Sequence, residues 1–275
     1  MSATASVAIA VIGGSGLYRL FDDPERIDLQ TPYGSPSDAV TIGELAGRRV
    51  AFLPRHGEGH RLAPHRINAR ANIWALARLG VRAIVSSSAV GAVDPALRPG
   101  DLVLPSQLID RTWGRADTYF DDDVQHLPAA DPFDPELRRL AAAALRAAGE
   151  SPVDGVTSVV VQGPRFSTRA ESRWFRAAGA QIVNMTQYPE AVLAAELGVG
   201  LVALSFVTDI DADIDAERDG AATGDGADAE LVLRRMAQAA PRIRAAIAAI
   251  VAAIPDDYAG RRLLPAAAID AVLAR

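Results

Sequence analysis

The sequence contains no lysine and no cysteine, and only four histidines among its 275 residues. All 28 basic residues are therefore arginines, against 34 acidic residues. Without a side-chain amine the chain cannot form a lysine Schiff base or place a Walker-type lysine on a phosphate. Without a thiol it has no cysteine nucleophile, disulfide, zinc–cysteine site or cysteine-held iron–sulfur cluster. The chemistry that remains is acid–base catalysis, hydroxyl groups and electrostatic binding by arginine.

The sequence also lacks the marks of a nucleic-acid surface and of a membrane span. The formal net charge is −6 and the arginines are scattered, whereas a nucleic-acid surface needs a basic stripe. No apolar run reaches the roughly 20 residues that span a bilayer. The first residues lack the basic segment of a signal peptide. We therefore expect a cytoplasmic enzyme or binding protein with no nucleic-acid partner and no membrane partner.

Short apolar runs alternate with longer helical stretches along the whole chain. This pattern predicts an α/β fold with a mainly parallel sheet, as one domain over residues 1–275. Strands are expected at 7–12, 41–42, 50–53, 83–87, 102–109, 157–161, 182–184 and 200–207. Helices are expected at 68–79, 135–148, 168–178, 189–197, 229–254 and about 265–274. Residues 209–228 (DIDADIDAERDGAATGDGAD) predict a long surface loop rather than a calcium site, because Ile214 stands where an EF-hand needs glycine.

Two motifs that follow predicted strands could bind an anion. GGSG at 13–16 could gather backbone N–H groups around Ser15, or could be a tight turn. PRHGEGH at 54–60 contains Arg55, whose planar fork of donors suits phosphate oxygens. An exposed loop, or a metal site formed by His56, His60 and His65, remains an alternative for this segment.

Four further motifs stand at predicted strand ends, where ligands bind in α/β sheets. SSSAVG at 86–91 offers hydroxyls or a capping turn, and QGPRFS at 162–167 offers an aromatic ring for stacking or for the core. NMT at 184–186 places a methionine, and TDID at 208–211 pairs two carboxyls, which could serve as an acid and an acceptor. Together these groups suit a nucleoside bound beside an anion.

The six motifs GGSGLY, PRHGEGH, RANIWAL, QGPRFSTRAES, NMTQYPEAVLA and VTDIDA, in this order, resemble the S-methyl-5′-thioadenosine phosphorylases of the trimeric purine nucleoside phosphorylase family. The resemblance implies a mixed central sheet with a partial distorted barrel, surrounded by helices, in a homotrimer. It implies phosphorolysis of 5′-methylthioadenosine to adenine and 5-methylthioribose 1-phosphate. Inorganic phosphate is then the co-substrate, and no metal or organic cofactor is expected.

The resemblance also implies a role for each site residue. The phosphate site would comprise Ser15, Arg55, His56, Ser88, Ala89 and Thr186. The nucleoside site would comprise Phe166, Ser167, Asn184, Met185, Asp209 and Asp211, with Asp209 and Asp211 as the catalytic pair. The 5′ pocket would comprise His60, Val232 and Leu233, with His126 and Leu263 from the neighbouring subunit.

Asp209 carries the expected choice of base. Relatives that cleave 6-oxopurine nucleosides have asparagine at this position, whereas an aspartic acid suits a 6-aminopurine, since it can donate to N7. Serines at 15 and 88, where some members have threonine, and a small Ala229 predict a roomier 5′ pocket. Adenosine, 5′-deoxy-5′-haloadenosines and, for a broader purine nucleoside phosphorylase, 6-oxopurine nucleosides are therefore alternative substrates. A hydrolytic nucleosidase and a non-catalytic nucleoside- or phosphate-binding protein are the remaining alternatives.

Overall fold

A computed structural model of the chain describes residues 7–212 and 229–275, and its nine strands form one sheet. The strands are β1 (Ile9–Gly13), β2 (Glu25–Ile27), β3 (Val40–Leu45), β4 (Arg48–Pro54), β5 (Ala83–Ala92), β6 (Leu102–Arg111), β7 (Val153–Val161), β8 (Ile182–Asn184) and β9 (Gly200–Ile210). The helices are α1 (Ala69–Arg78), α2 (Pro135–Ala147), α3 (Arg169–Ala177), α4 (Gln187–Glu196), α5 (Ala229–Ala253) and α6 (Ala266–Leu273).

The sheet is mixed, and half of it curls into a partial barrel. Its order is β2-β3-β4-β1-β5-β8-β7-β6-β9, and β9 also pairs with β5. Strands β5, β8, β7, β6 and β9 therefore close a ring. The pairs β5–β8 and β6–β9 are antiparallel, whereas β1 pairs in parallel with both β4 and β5. The mainly parallel sheet expected from the strand–helix alternation is thus corrected to the mixed sheet with a partial barrel that the resemblance implies.

Local sequence signals explain where several elements begin and bend. Asp134 caps α2 by accepting from the N–H of Leu137, with Pro135 at the first helical position. Thr168 and Glu171 form a capping box at the start of α3. Pro105 lies where the register between β6 and β7 shifts, as expected for a proline within a strand.

Several strands continue beyond the ends that the sequence predicted, and in β5 and β9 the added residues include predicted site residues. β5 runs to Ala92 rather than ending at residue 87, because Ser86 to Ala92 pair with β9 instead of turning away. β9 runs to Ile210, so Asp209 is a strand residue and not the start of a loop. The short strand β2 was missed, since two of its three residues are exposed and it lacks an apolar pattern. The rest of the predicted 209–228 loop, from residue 213 on, lies outside the described residues.

Helices cover both faces of the sheet. Helices α2 and α5 pack on one side through Leu137, Leu145, Ile247 and Ile250. Helices α1, α4 and α6 pack on the other side, where Ile73, Leu193 and Ile269 belong to one buried apolar cluster. These two layers leave the ends of β1, β4, β5, β8 and β9 free to form a site.

Helix α5 is, among the described residues, the one helix whose length and composition would let it cross a membrane, with mean hydropathy 1.2. Its Met236, Ile243 and Val251 are buried against the sheet and α2. Buried helices in the cores of proteins can have the same length and composition as a membrane-spanning helix. The absence of a membrane partner stays a prediction.

Candidate active site

One cavity of about 470 Å³ opens at the strand ends, a size suited to a small-molecule ligand. Every site residue predicted for the same chain lines it. They are Ser15, Arg55, His56, His60, Ser88, Ala89, Phe166, Ser167, Asn184, Met185, Thr186, Asp209, Asp211, Val232 and Leu233. Motifs spread over more than 200 residues of chain therefore meet around a single volume.

Two predicted residues do not line this cavity. His126 is exposed in the segment between β6 and α2, and Leu263 lies beside Pro132 and Leu201. Both were assigned to the 5′ pocket of a neighbouring subunit, so a place outside the cavity of their own chain is compatible with that assignment. The structure contains one chain, and their role stays a prediction.

A pair of buried carboxyls lies at one end of the cavity. Asp209 and Asp211 are 5% and 1% exposed. The pairing of β5 with β9 shifts register between Val90 and Gly91, which sets Gly91 opposite Asp209. A Cβ on Gly91 would lie 3.1 Å from Asp209 Oδ2, so a glycine here lets the strand approach the carboxyl closely. The bulge thus directs a strand carboxyl into the cavity.

Burial makes Asp209 an acid that can hold its proton near neutral pH. Burial raises the pKa of Asp209 to about 6, and the negative charge of Asp211 adds to the rise. The Thr208 hydroxyl opposes the rise by donating to Asp209 Oδ1 at 2.6 Å. Burial also raises the pKa of Asp211, against a hydrogen bond that Ser172 Oγ donates to Asp211 Oδ2 at 2.5 Å. A buried, protonatable carboxyl is what a general acid requires.

Arg55 lies at the other end of the cavity, and its charge is balanced from within the protein. Its Nε and Nη2 donate to the Glu190 carboxylate in a fork, with 3.0 Å between Nη2 and Oε2. Nη1 donates to the carbonyl of Ser87 at 2.8 Å, and Nη2 also donates to Ser86 Oγ at 2.6 Å. The side chains of Arg55 and Glu190 are 1% and 2% exposed. The guanidinium is therefore fixed in orientation, and its pair with Glu190 is close to neutral.

Glycine allows the 13–16 turn to approach this guanidinium. A Cβ on Gly14 would lie 2.9 Å from Arg55 Nη1 and 2.5 Å from the carbonyl oxygen of Ser87. The turn brings Ser15 to the cavity next to Arg55. Hydroxyl and amide donors thus surround the end of the cavity that contains the fixed arginine.

His56 and His60 form a stacked pair on the cavity wall, with ring centroids 4.1 Å apart. His56 Nδ1 lies 2.8 Å from the carbonyl oxygen of Leu62, so Nδ1 carries the proton and Nε2 has the free lone pair. Burial, together with the charge of Arg55, lowers the pKa of His56 to about 3. His60 Nδ1 lies 3.2 Å from the Tyr18 hydroxyl. Within residues 7–212 and 229–275 no group of three or more acidic or histidine side chains is arranged to hold a metal.

Asn184 has backbone partners on both sides of its amide. Its Oδ1 accepts from the N–H groups of Thr186 and Gln187 at 2.7 Å each, and its Nδ2 donates to the carbonyl of Ala89 at 3.2 Å. The side chain therefore caps the start of α4 and ties it to β5. Asn184 lines the cavity, but its amide oxygen already accepts two hydrogen bonds from the backbone.

Apolar groups form the middle of the cavity. Phe166 and Met185 line it together with Val232 and Leu233 from the first turns of α5. Gly163 has a φ of +64°, which favours glycine, and a Cβ there would lie 2.7 Å from Met185 Sδ and push this side chain aside. An aromatic face, a thioether and aliphatic groups together suit the flat ring and sugar of a nucleoside.

Sequence reasoning missed several residues of the wall. Arg61 lines the cavity one position after PRHGEGH, and its Nη2 lies 3.6 Å from Asp38 Oδ2. Thr208 was named only as part of a strand end, although its hydroxyl contacts Asp209. Glu190, which contacts Arg55 from outside the cavity, lies within the NMTQYPEAVLA motif but was given no role, since an acidic residue inside a predicted helix is normally solvated. The one sequence feature that could have pointed to Arg61 is its position in the same loop as Arg55.

Known proteins resemble this chain over nearly its full length. The family model described as the Phosphorylase superfamily matches residues 8–252. A Streptomyces coelicolor protein named purine nucleoside phosphorylase is 47% identical, over 98% of this chain and 96% of its own length. A Mycobacterium tuberculosis protein named S-methyl-5′-thioadenosine phosphorylase is 48% identical, over 90% of each chain.

Solved structures agree with the sequence matches. A methylthioadenosine phosphorylase from Schistosoma mansoni, in complex with adenine, superposes with a TM-score of 0.84 at 32% identity, covering 98% of both chains. A methylthioadenosine phosphorylase from an antarctic soil metagenomic library has a TM-score of 0.81 at 40% identity, covering 98% of this chain and 99% of its own.

Proposed function

Since this chain belongs to the Phosphorylase superfamily and is a nucleoside phosphorylase, we propose that it cleaves 5′-methylthioadenosine with inorganic phosphate. The products would be adenine and 5-methylthioribose 1-phosphate. The observation that carries the choice of base is Asp209, a buried carboxyl whose pKa burial raises to about 6. A carboxylic acid can donate to purine N7, and its partner Asp211 can accept from an exocyclic amino group.

Breaking the N-glycosidic bond puts negative charge on the leaving base. In the proposed step a phosphate oxygen bonds to C1′ while the bond from C1′ to N9 breaks and its electron pair passes to the purine. Asp209 gives its proton to N7, so that the base leaves as neutral adenine, and the carboxylate regains a proton from solvent. General acid catalysis of this kind contributes roughly 10²–10⁴ in rate.

The phosphate would bind at the end of the cavity that contains Arg55. The Arg55 guanidinium, the hydroxyls of Ser15, Ser88 and Thr186, and the backbone at Ala89 supply donors there. His56 would accept a hydrogen bond at Nε2, because its Nδ1 proton is held by the carbonyl of Leu62. Phosphate itself is the nucleophile, so the proposal needs no covalent protein intermediate and no metal or organic cofactor.

The test is adenine release from 5′-methylthioadenosine, measured with and without added phosphate. Release that depends on phosphate, with formation of the sugar 1-phosphate, is the expected result. Release without phosphate would identify a hydrolase instead, and no release with nucleoside still bound would identify a binding protein. With the wild-type enzyme, kcat/KM should fall as pH rises through about 6, since burial raises the pKa of the acid Asp209 to that value.

A broader purine nucleoside phosphorylase is a second candidate, because one of the similar proteins carries that name at 47% identity. Rates with 5′-methylthioadenosine, adenosine, a 5′-deoxy-5′-haloadenosine and inosine separate the two. A preference for inosine would overturn the role of Asp209 in selecting a 6-aminopurine. Comparable rates with adenosine and methylthioadenosine would favour the roomier 5′ pocket.

We further propose a cytoplasmic homotrimer in which each 5′ pocket is completed by His126 and Leu263 of a neighbour. In support, His60, Val232 and Leu233 line the cavity of their own chain, while His126 and Leu263 do not. Mass measurement of the native enzyme tests the assembly, and a stable, active monomer would contradict it. Substitution of Leu263 should then raise KM for the nucleoside while leaving KM for phosphate unchanged.

A further inference from the structure

Three buried polar side chains form a chain of hydrogen bonds that ends at the phosphate end of the cavity. Gln187, in α4, donates from Nε2 to Ser205 Oγ on β9 at 2.9 Å, and the same nitrogen makes a longer contact of 3.5 Å with Ser88 Oγ, where it is again the donor. Ser205 Oγ lies 3.0 Å from Ser88 Oγ on β5, directly opposite it in the strand register. Gln187, Ser205 and Ser88 are 2%, 0% and 3% exposed, and of the three only Ser88 lines the cavity.

The donor at the start of this chain fixes the direction of every bond in it. An amide nitrogen donates and does not accept, so Ser205 Oγ receives a hydrogen bond from Gln187. Ser88 Oγ is the one acceptor within reach of the Ser205 hydroxyl among the described residues, so the single proton of Ser205 points to Ser88 Oγ. The Ser88 proton is left free to point into the cavity. A rotatable hydroxyl is thus set as a donor before any ligand arrives.

Such an orientation matters here because the charge of Arg55 is already balanced by Glu190. An anion entering this end meets a nearly neutral ion pair, and the neutral donors around it have to supply more of the binding. A donor that is already oriented avoids the cost of reorganising when the anion binds.

We propose that Gln187 and Ser205 are positioning residues that present the Ser88 hydroxyl as a hydrogen-bond donor to phosphate. This inference rests on the proposed phosphorolysis. Neither residue would touch the substrate, and both would act through Ser88. Loss of the chain should therefore weaken phosphate binding and leave nucleoside binding unchanged.

The experiment is a double-mutant cycle of Ser205→Ala and Ser88→Ala, with KM for phosphate, KM for nucleoside and kcat measured separately. Ser205→Ala should raise KM for phosphate roughly threefold to tenfold, the equivalent of one hydrogen bond, with KM for nucleoside unchanged. In the Ser88→Ala background the same substitution should have no further effect on KM for phosphate. Gln187→Met removes the donor at similar length and should repeat the result if Ser205→Ala folds poorly.

Ser158→Ala is the matched control. Ser158 is a fully buried strand serine whose hydroxyl has no hydrogen-bond partner among the described residues, and it does not line the cavity. Its removal should leave KM for phosphate unchanged. An equal effect of Ser205→Ala with and without Ser88, or an equal effect of Ser158→Ala, would overturn the inference. Wild-type cleavage that needs no phosphate would instead refute the proposed function, which the same assay reports separately.

Discussion

Replacing Glu190 with glutamine should weaken the fold and, at the same time, strengthen the binding of phosphate. Glu190 is the buried counter-charge of Arg55, with both side chains at most 2% exposed. Breaking such a pair leaves an uncompensated buried charge and costs about 3–5 kcal/mol. Glutamine keeps one oxygen for the guanidinium, so the lower end of this range is expected. At about 2–4 °C per kcal/mol for a chain of this size, the Tm should fall by about 6–12 °C.

Phosphate should recover part of that loss. The Glu190 carboxylate opposes an anion bound near Arg55, and its removal leaves a positive charge that phosphate can balance. The variant should therefore bind phosphate more tightly, and saturating phosphate should raise its Tm by more than it raises that of the wild type. Thermal unfolding across a phosphate series, with isothermal titration of phosphate into each protein, measures both effects.

Glu150→Gln is the control for the loss of a carboxylate from an arginine fork. Glu150 also accepts from both sides of a guanidinium, with Arg242 Nε and Nη2 at 2.9 and 2.6 Å, but Arg242 is 43% exposed. Exposed pairs contribute at most about 1 kcal/mol. If Glu190→Gln destabilises no more than Glu150→Gln, or if phosphate stabilises both variants equally, the assignment of Glu190 as counter-charge is wrong.

Three further predictions concern single groups. Asp209→Asn should lower kcat/KM roughly 10²–10⁴-fold. Burial raises the pKa of this carboxyl to about 6, so above pH 7 the wild type must ionise a buried group. The variant should therefore have a free energy of unfolding about 3 kcal/mol higher than the wild type above pH 7, and an unchanged one below pH 4. An equal gain at both pH values would contradict this. His56, whose pKa burial lowers to about 3, should show no titration by NMR between pH 5 and 8, and a midpoint in that range would refute its neutral state. Gly16→Ala should raise KM for nucleoside, because its Cβ would lie 2.9 Å from Met236 Cβ and displace the start of α5. Gly47→Ala is the control, because Gly47 has a similar positive φ but no atom within 4 Å of an added Cβ, so that this substitution adds only backbone strain. If both variants change KM for the nucleoside equally, crowding is not the cause.

The local features of the fold could be predicted because their causes lie within a few residues. The capping box at Thr168 and Glu171, the cap at Asp134 and the register shift at Pro105 each follow from residue types that stand at those positions in the sequence. The predicted end of β5 was wrong, and the reason is physical. Serines 86–88 suggest a turn when read locally, but each has a partner on β9. Closure of the partial barrel, which buries polar strand residues, has no signature within one segment.

The candidate site likewise has one set of residues that the sequence predicted and another set that it did not. Groups that would touch a ligand stand in motifs at strand ends, so their convergence followed from the topology of the sheet. Two groups that support them, Gln187 and Glu190, also lie within the NMTQYPEAVLA motif, but the sequence alone assigns them no role. Glu190 contacts Arg55 across 135 residues of sequence, and Gln187 in α4 contacts Ser205 on β9 and, at 3.5 Å, Ser88 on β5. Such contacts depend on how α4 packs against the sheet, which no local pattern in the sequence encodes.

Helix α4 therefore connects these supporting contacts. Asn184 fixes its start, Gln187 orients the hydroxyl chain, and Glu190 balances the charge of Arg55. A cavity whose arginine is paired this way has little net charge to attract an anion over distance, and the chain as a whole carries −6. Phosphate recognition therefore has to rely on short-range hydrogen-bond donors whose orientation is fixed by residues outside the cavity. A substitution that shifts α4 should then disturb phosphate binding before it disturbs binding of the purine, since Asp209 lies in β9 and Asp211 directly follows it, bonded through its N–H to Ala92 of β5.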